Sequence, residues 1–208
     1  MPNVSNVKTK FFGAVDATDA DGISVSASIG SATTLTLGGT LTSGGSYTSG
    51  DNIGQLVTIL SAADDSGITF TIVGTDAVGD AQTEVVTGAS GAPGTATSSG
   101  YFNTVASITT SGASAGNVSA GVTATGTGTV FAGRTRIRGL QGLSGATAGN
   151  LLFKNTSVTG TTLLTVPTGA SATELIEPYI PDNAVLFDAG AYVSFPSAAA
   201  TITVFYDG

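Results

Sequence analysis

Apolar and polar residues alternate along this chain in short runs rather than in helical periods. In the run Ile68–Val73 every second residue is apolar, so Ile68, Phe70 and Ile72 would lie on one side of a strand. The run Gln82–Thr87 shows a weaker form of the same alternation. Between them, Gly74–Asp80 is rich in turn-forming residues and acids. A period of two indicates a strand with one buried face. The sequence therefore predicts a β-hairpin with an acidic tip.

Similar runs recur at intervals of about ten to fifteen residues, the spacing expected of a sandwich or barrel. The predicted strands are Ile23–Ile29, Thr33–Leu37, Leu56–Leu60, Ile68–Val73, Gln82–Thr87, Tyr101–Thr110, Asn117–Ala124, Val130–Ile137, Leu151–Lys154, Thr162–Val166, Leu175–Ile180, Tyr192–Phe195 and Thr201–Tyr206. No segment keeps an apolar 3.6-residue period over three turns. The pattern predicts an all-β fold of two β-sandwich or barrel-like lobes, with little or no helix.

A stretch of small residues suggests where the two lobes divide. Residues Thr123–Val130, "TATGTGTV", include no large apolar side chain before the final valine, and they are interpreted as a link or a strand switch. The predicted organisation is an N-terminal arm over 1–22, a first lobe over 23–124 and a second lobe over 130–208.

Composition narrows the functional classes. The 208 residues include no Cys, His or Trp, and 14 acids against 6 bases give a net charge of -8. This acidity argues against a nucleic-acid partner, because phosphate binding needs clustered Lys and Arg. No run approaches the roughly 18 apolar residues of a membrane-spanning helix, so no membrane partner is expected. The N-terminus lacks the pattern of a signal peptide, which favours synthesis in the cytoplasm.

The candidate catalytic and metal motifs are weak. Gly112–Gly116 fits the G-x-S-x-G pattern of hydrolases, but the chain has no histidine to act as the base, so a hairpin turn is the better interpretation. Asp16, Asp19 and Asp21 resemble only part of a calcium loop, and solvated turn acids are the more common case. We expect no enzyme activity, no catalytic residues, no cofactor and no metal ligands, although the sequence leaves a structural calcium open.

Basic charge is concentrated in one place. Arg134, Arg136 and Arg138 alternate in "GRTRIRG", so on a strand all three would share one face. They could form a solvated face paired with the acids of the same lobe, namely Glu174, Glu177 or Asp188. Alternatively, they could form a contact surface for an acidic partner chain.

The neighbouring aromatic residues Phe11 and Phe12 lie beside Lys8 and Lys10. Adjacent residues on a strand point to opposite sides, so only one of the two phenylalanines can enter a given core. We expect the segment Lys8–Phe12 to contribute to contacts with another subunit or with a shell.

Part of the chain resembles structural proteins of tailed bacteriophages. In that pattern a strand of type ITFTI-x-GTD is followed by a glycine turn, then T-E-x-V-T-G, a segment of type YF-x-TV-x-SIT and a short V-x-x-G strand. The matching residues are Ile68 to Asp76, Gly79, Thr83 to Gly88, Tyr101 to Thr109 and Val118 to Gly121. The second lobe, from "GRTRIRGL" through "AGNLLFKN" to "TITVFYDG", looks like a companion of the same pattern.

The resemblance implies a virion protein, and a capsid decoration or knob protein on the head surface is favoured. It implies a homo-oligomer, with a trimer favoured, in contact with the major capsid protein or other virion proteins. A tail, neck or fibre component, possibly with a carbohydrate-binding face, is the alternative. A depolymerase would need a carboxylate pair in a groove, whereas nearly all the acids fall in predicted turns.

Overall fold

The computed structural model describes residues 6–50, 52–195 and 200–208, and within them it contains strands and turns but no helix. No helix that could span a membrane therefore occurs among the described residues. The first nine strands are β1 (Val7–Phe12), β2 (Asp19–Ser28), β3 (Thr42–Ser43), β4 (Ser46–Thr48), β5 (Ile53–Ser61), β6 (Thr69–Thr75), β7 (Ala81–Thr87), β8 (Gly94–Phe102) and β9 (Thr104–Thr110). The remaining eight are β10 (Asn117–Phe131), β11 (Thr135–Leu143), β12 (Gly149–Asn155), β13 (Thr162–Thr168), β14 (Leu175–Ile176), β15 (Val185–Phe187), β16 (Ala191–Phe195) and β17 (Thr201–Asp207).

The all-β prediction is confirmed. Strands make up 59% of the structure, their pairings are antiparallel, and no sheet closes on itself within the described residues. The chain divides into two compact units. Unit 1 consists of residues 1–15, 50–53 and 125–208, and unit 2 consists of residues 16–49 and 54–124.

Unit 1 contains a sheet in the order β1-β17-β11-β14, with β15 also paired to β11. A second set of strands follows the order β13-β12-β16, and β16 pairs with the final third of β10. Alternate residues of these strands enter one core. Its largest members are Phe12, Ile137, Phe153 and Phe187, each fully buried.

Unit 2 contains a sheet in the order β3-β4-β9-β6-β7. Opposite it are β2, β5, β8 and the first part of β10, in which β10 pairs with both β2 and β5. The alternation in the sequence gives each strand one buried face. In β6, Phe70 and Ile72 point into the space between the two sets of strands, whereas Val73 is exposed. The core of unit 2 also includes fully buried Tyr47, Phe102 and Ile108.

The N-terminal segment is part of the body of unit 1. Within the predicted arm, 1–22, residues 1–5 lie outside the described residues. β1 pairs with β17 residue for residue from Val7↔Asp207 to Phe12↔Ile202, and β2 begins at Asp19.

Candidate functional site

The two adjacent phenylalanines of β1 point to opposite sides of the strand, as the alternation predicted. Phe12 is fully buried, with its ring centroid 5.7 Å from that of Phe195. A Cβ at Gly128 would come within 2.3 Å of the Phe12 ring, so this position of β10 has space only for a hydrogen. Phe11, in contrast, is 47% exposed on the outer face of its sheet. Phe12 is therefore a core residue, and Phe11 is the aromatic residue available for a contact.

Lys8 and Lys10 point to the same side of β1 as Phe12, opposite to Phe11. Lys10 Nζ donates a hydrogen bond of 3.0 Å to Asn52 Oδ1, and Asn52 Nδ2 donates one of 3.2 Å to the carbonyl oxygen of Phe11. Lys8 Nζ donates to the carbonyl oxygen of Gly208. Its ammonium also lies 5.7 Å from the ring centroid of Phe131. Both lysines thus bind groups within unit 1, on the opposite side of β1 from Phe11, and the contact role of the segment Lys8–Phe12 stays a prediction.

The three arginines of "GRTRIRG" lie together along β11 and immediately before it. Arg134 Nε is 3.6 Å from Oδ1 of Asp188, which is one of the three acids expected to pair with the arginines. Arg136 Nη1 donates a 2.7 Å hydrogen bond to the carbonyl oxygen of Asn183. Arg138 Nε forms a 2.5 Å ion pair with Asp207, a partner that the sequence did not suggest.

Arg138 is positioned by an irregularity in the strand. The pairing of β11 with β17 shifts between Ile137 and Gly139, so Arg138 is the extra residue of a β-bulge. Its Nη1 donates a 3.1 Å hydrogen bond to the carbonyl oxygen of Asp182. Together with Arg136, it ties the turn before β15 to β11.

The outer face of the β1-β17-β11-β14 sheet exposes several large apolar side chains. Phe11 is joined by Leu143 and Leu175, which are 46% and 55% exposed, around a cleft of about 260 Å³. A neighbouring cleft of about 600 Å³ is lined by Arg138, Phe205 and Tyr179, of which Tyr179 is 86% exposed. Aromatic residues and arginine are the residue types enriched at protein interfaces.

Acids near the turns of unit 2 accept hydrogen bonds from backbone N–H groups and hydroxyls. Asp19 accepts hydrogen bonds from Asp21 N and Thr40 Oγ1, which lower the pKa of its carboxyl. Asp64 accepts both the backbone N–H and the hydroxyl of Ser66, with the same effect on its pKa. No group of three or more metal-ligating side chains occurs among the residues that the structure describes.

Ser114 of the G-x-S-x-G match lies in the connection between β9 and β10. Its hydroxyl donates a 2.6 Å hydrogen bond to the carbonyl oxygen of Gly116 and accepts one of 3.1 Å from the N–H of Ile29. These bonds hold the turn against the end of β2.

Sequence reasoning missed a buried polar network in unit 2. Gln55 is fully buried, and its Oε1 accepts hydrogen bonds from the Tyr47 hydroxyl at 2.9 Å and the Ser49 hydroxyl at 3.2 Å. Its Nε2 donates to the carbonyl oxygens of Asp16 and Thr123. A lone glutamine within an apolar run was the only signal of this network. It fixes the start of unit 2 against β5 and β10.

Burial sets the ionisation of this network. Removal from water raises the pKa of the Asp16 carboxyl above its ordinary value of 3.8, and the hydrogen bond from Tyr47 partly offsets the effect. Removal from water also raises the pKa of the Tyr47 hydroxyl, and the hydrogen bond with Ser49 works against that rise. Tyr47 therefore stays neutral and acts as a hydrogen-bond donor.

A second missed group is Glu84, which joins two strand edges of unit 2. Its carboxylate accepts hydrogen bonds from the N–H of Ser99 at 2.6 Å, the hydroxyl of Ser99 at 2.9 Å and the N–H of Gly100 at 2.9 Å. Glu84 lies on β7, the edge of one sheet, and both partners lie on β8, the edge strand opposite. The Glu84 side chain thus links β7 to β8, two strands that do not pair through their backbones.

Comparisons with known proteins add no relative to this picture, since no protein-family model, curated protein or solved structure matches the chain.

Proposed function

We propose that the chain is a non-enzymatic structural component of a phage particle, and that it decorates the head surface. The observation that carries the proposal is the resemblance of residues 68–121 to a pattern of phage structural proteins. These residues include β6, β7 and β9, which are neighbours in one sheet of unit 2. The resembling segment also includes β8 and the start of β10, which belong to the other sheet.

The physical character of the chain supports this role. A particle component needs a rigid body and contact surfaces, and antiparallel sheets with tight turns supply the first. The outer face of the β1-β17-β11-β14 sheet supplies the second, because Phe11 and Leu175 are exposed there although each would gain about 2 kcal/mol from burial. We infer that this face contacts the shell or a neighbouring subunit, in a homo-oligomer for which a trimer is favoured.

A tail or fibre role with a carbohydrate-binding face is the second candidate. The observation that favours it is Tyr179, which is 86% exposed beside a cleft of about 600 Å³ that also presents Arg138, Gln141 and Glu177. An open aromatic ring with polar groups around it is an arrangement that can hold a sugar.

Rebinding to particles tests the proposal. Particles that lack the chain would be incubated with the wild-type chain, with Phe11→Ser and with Leu163→Ser, and the bound protein would be quantified after sedimentation. Leu163 is the matched control, because it is also exposed, at 44%, but lies on β13 rather than on the proposed face.

We expect Phe11→Ser to reduce occupancy about tenfold and Leu163→Ser to leave it unchanged. Equal occupancy for all three proteins would exclude Phe11 from the contact. If the wild-type chain fails to bind particles, the head-decoration role is wrong.

A further inference from the structure

The net charge of the chain is confined to one unit. Unit 2 contains eight acids (Asp16, Asp19, Asp21, Asp64, Asp65, Asp76, Asp80 and Glu84) and no Lys or Arg, which gives -8. Unit 1 contains all six bases and the other six acids, which cancel. Two copies that met through their unit 2 surfaces would therefore repel each other. A contact between unit 2 of one copy and the arginines of another would be attractive.

The tip of the β6–β7 hairpin is the part of unit 2 best built for such a contact. Asp76 Oδ1 accepts hydrogen bonds from the N–H groups of Val78, Gly79 and Asp80 at 2.8, 2.9 and 3.0 Å. Asp76 N also donates a 2.9 Å hydrogen bond to the carbonyl oxygen of Asp80. Gly79 has a φ of 99°, which L side chains rarely adopt. These features fix the conformation of the tip.

The fixed tip presents an apolar side chain next to carboxylates. Val78 is 50% exposed, and Asp80 beside it is also exposed. Because the turn is already held by its own hydrogen bonds, binding would cost little conformational entropy. The tip is thus a preformed ligand with an apolar centre and negative charge around it.

The matching surface in unit 1 is the arginine cleft, a cleft of about 340 Å³ lined by Arg134, Arg136, Arg138, Leu186 and Asp207, with Thr135 and Gly208. Its three arginines outnumber its one acid, and that acid, Asp207, is already paired with Arg138.

Two of the arginines retain capacity for another carboxylate. Arg134 pairs with Asp188 at 3.6 Å, but both side chains are more than 60% exposed, so this ion pair is weak. Arg136 uses one of its five N–H donors in the hydrogen bond to Asn183, as far as the described contacts go.

We propose that the chain self-associates head to tail, with the Asp76–Asp80 tip of one copy seated in the arginine cleft of the next. In this contact Val78 packs against Leu186, and the carboxylates of the tip face Arg134 and Arg136. A head-to-tail contact joins two different surfaces, so repeated copies form a closed ring or an open filament. A ring of three copies would be the trimer of the proposed function. This inference deepens the self-association part of that proposal and does not depend on where the chain sits on a particle.

The test uses charge reversals at two exposed positions, one on each surface. Asp80→Lys alters the tip without removing the Asp76 carboxylate that caps the turn, and Arg134→Glu alters the cleft. Asp64→Lys is the control for charge, because it makes the same change of charge in another turn of unit 2, and it also removes the acceptor of the Ser66 hydrogen bonds. Association would be measured by sedimentation velocity at about 20 mM and about 500 mM NaCl, and circular dichroism would verify that each variant is folded.

We expect the wild-type chain and Asp64→Lys to associate equally at low salt and to dissociate at high salt. Asp80→Lys and Arg134→Glu should each weaken association about tenfold or more. An equimolar mixture of the two variants should associate again, since the intact tip of Arg134→Glu fits the intact cleft of Asp80→Lys and the two reversed charges also attract each other.

Three results would overturn the inference: a wild-type chain that is monomeric at low salt, equal weakening by the Asp64→Lys control, or a mixture that stays monomeric. No particle is involved in this experiment, so its failure is distinct from a failure of the head-decoration proposal.

Discussion

The two units have the same kind of sheet structure but use different polar contacts. The two ion pairs among the described residues, Arg134–Asp188 and Arg138–Asp207, both lie in unit 1. Unit 2 has no base with which to form one. Its carboxylates instead accept hydrogen bonds from backbone N–H groups and hydroxyls, as Asp76 and Glu84 do.

The turns of an acidic unit can therefore be stabilised without any positively charged side chain. A carboxylate that accepts an N–H needs no lysine or arginine, and hydrogen bonds to a charged group are among the stronger ones. The cost is a net charge of -8 on unit 2. We expect three sizes of effect on stability. Loss of core packing should have the largest effect, loss of a carboxylate contact a smaller one, and a change at the partly buried carboxyl of Asp16 the smallest.

The largest effect should come from the two cores. Phe12→Ala in unit 1 and Phe70→Ala in unit 2 each remove a fully buried ring, and each should cost about 3–5 kcal/mol of the free energy of unfolding. Because the two rings belong to separate cores, hydrogen exchange should rise first in the strands of the altered unit. Phe11→Ala is the control and should change stability by less than about 1 kcal/mol. Equal loss of protection in both units would show that the two cores do not act separately.

A smaller effect should follow from removing the carboxylate that joins two strand edges of unit 2. In Glu84→Ala the N–H groups of Ser99 and Gly100 lose their acceptor, which should lower the free energy of unfolding by about 1–3 kcal/mol. Thr83→Ala, at the exposed neighbouring position, is the control for loss of side-chain atoms. Thermal unfolding of both variants checks the expectation, and it is wrong if the two melt at the same temperature.

The smallest effect concerns Asp16 and has a distinctive dependence on pH. Because burial raises the pKa of this carboxyl above 3.8, the folded chain binds the proton more tightly than the unfolded chain does. The stability from the protonated form is present below pH 3.8 and is lost as the pH rises through the folded-state pKa. Asp16→Asn should therefore raise the melting temperature by about 2 °C at pH 7.

That gain should shrink as the pH falls toward 3.8, where Asp16 itself becomes neutral. A melting scan between pH 7 and pH 4 measures it for both proteins. A gain that grows on acidification would contradict the burial of this carboxyl.

The sequence predicted the elements whose pattern is local. In the opening hairpin, β6 and β7 pair one for one from Thr69↔Thr87 to Thr75↔Ala81, around the expected acidic turn. Period-two alternation and turn residues were sufficient there because all the information lies within about twenty residues.

Elements that depend on distant partners were harder to predict. The small-residue stretch Thr123–Val130, interpreted as a link or a strand switch, lies within the 15-residue strand β10, which passes from unit 2 to unit 1 after Ala124. At Gly128 a side chain is excluded because the ring of Phe12, more than a hundred positions away in sequence, occupies that space. The segment Thr33–Leu37 was predicted as a strand, but among the described residues it forms only an isolated bridge between Thr34 and Thr109.

The candidate contact residues show the same limit. Alternation correctly separated Phe11 from Phe12, but it could not show that Lys8 and Lys10 bind Gly208 and Asn52. These partners come from distant parts of the chain, which a local pattern does not bring together.

The number of copies per particle tests the proposed function most directly. Quantitative mass spectrometry of purified particles, calibrated against the major capsid protein, would supply that number. If the chain decorates the head, we expect a copy number in the hundreds, because the chain would then cover the head surface through its exposed sheet face. A handful of copies would favour the tail or fibre alternative, and complete absence from the particle would contradict the account.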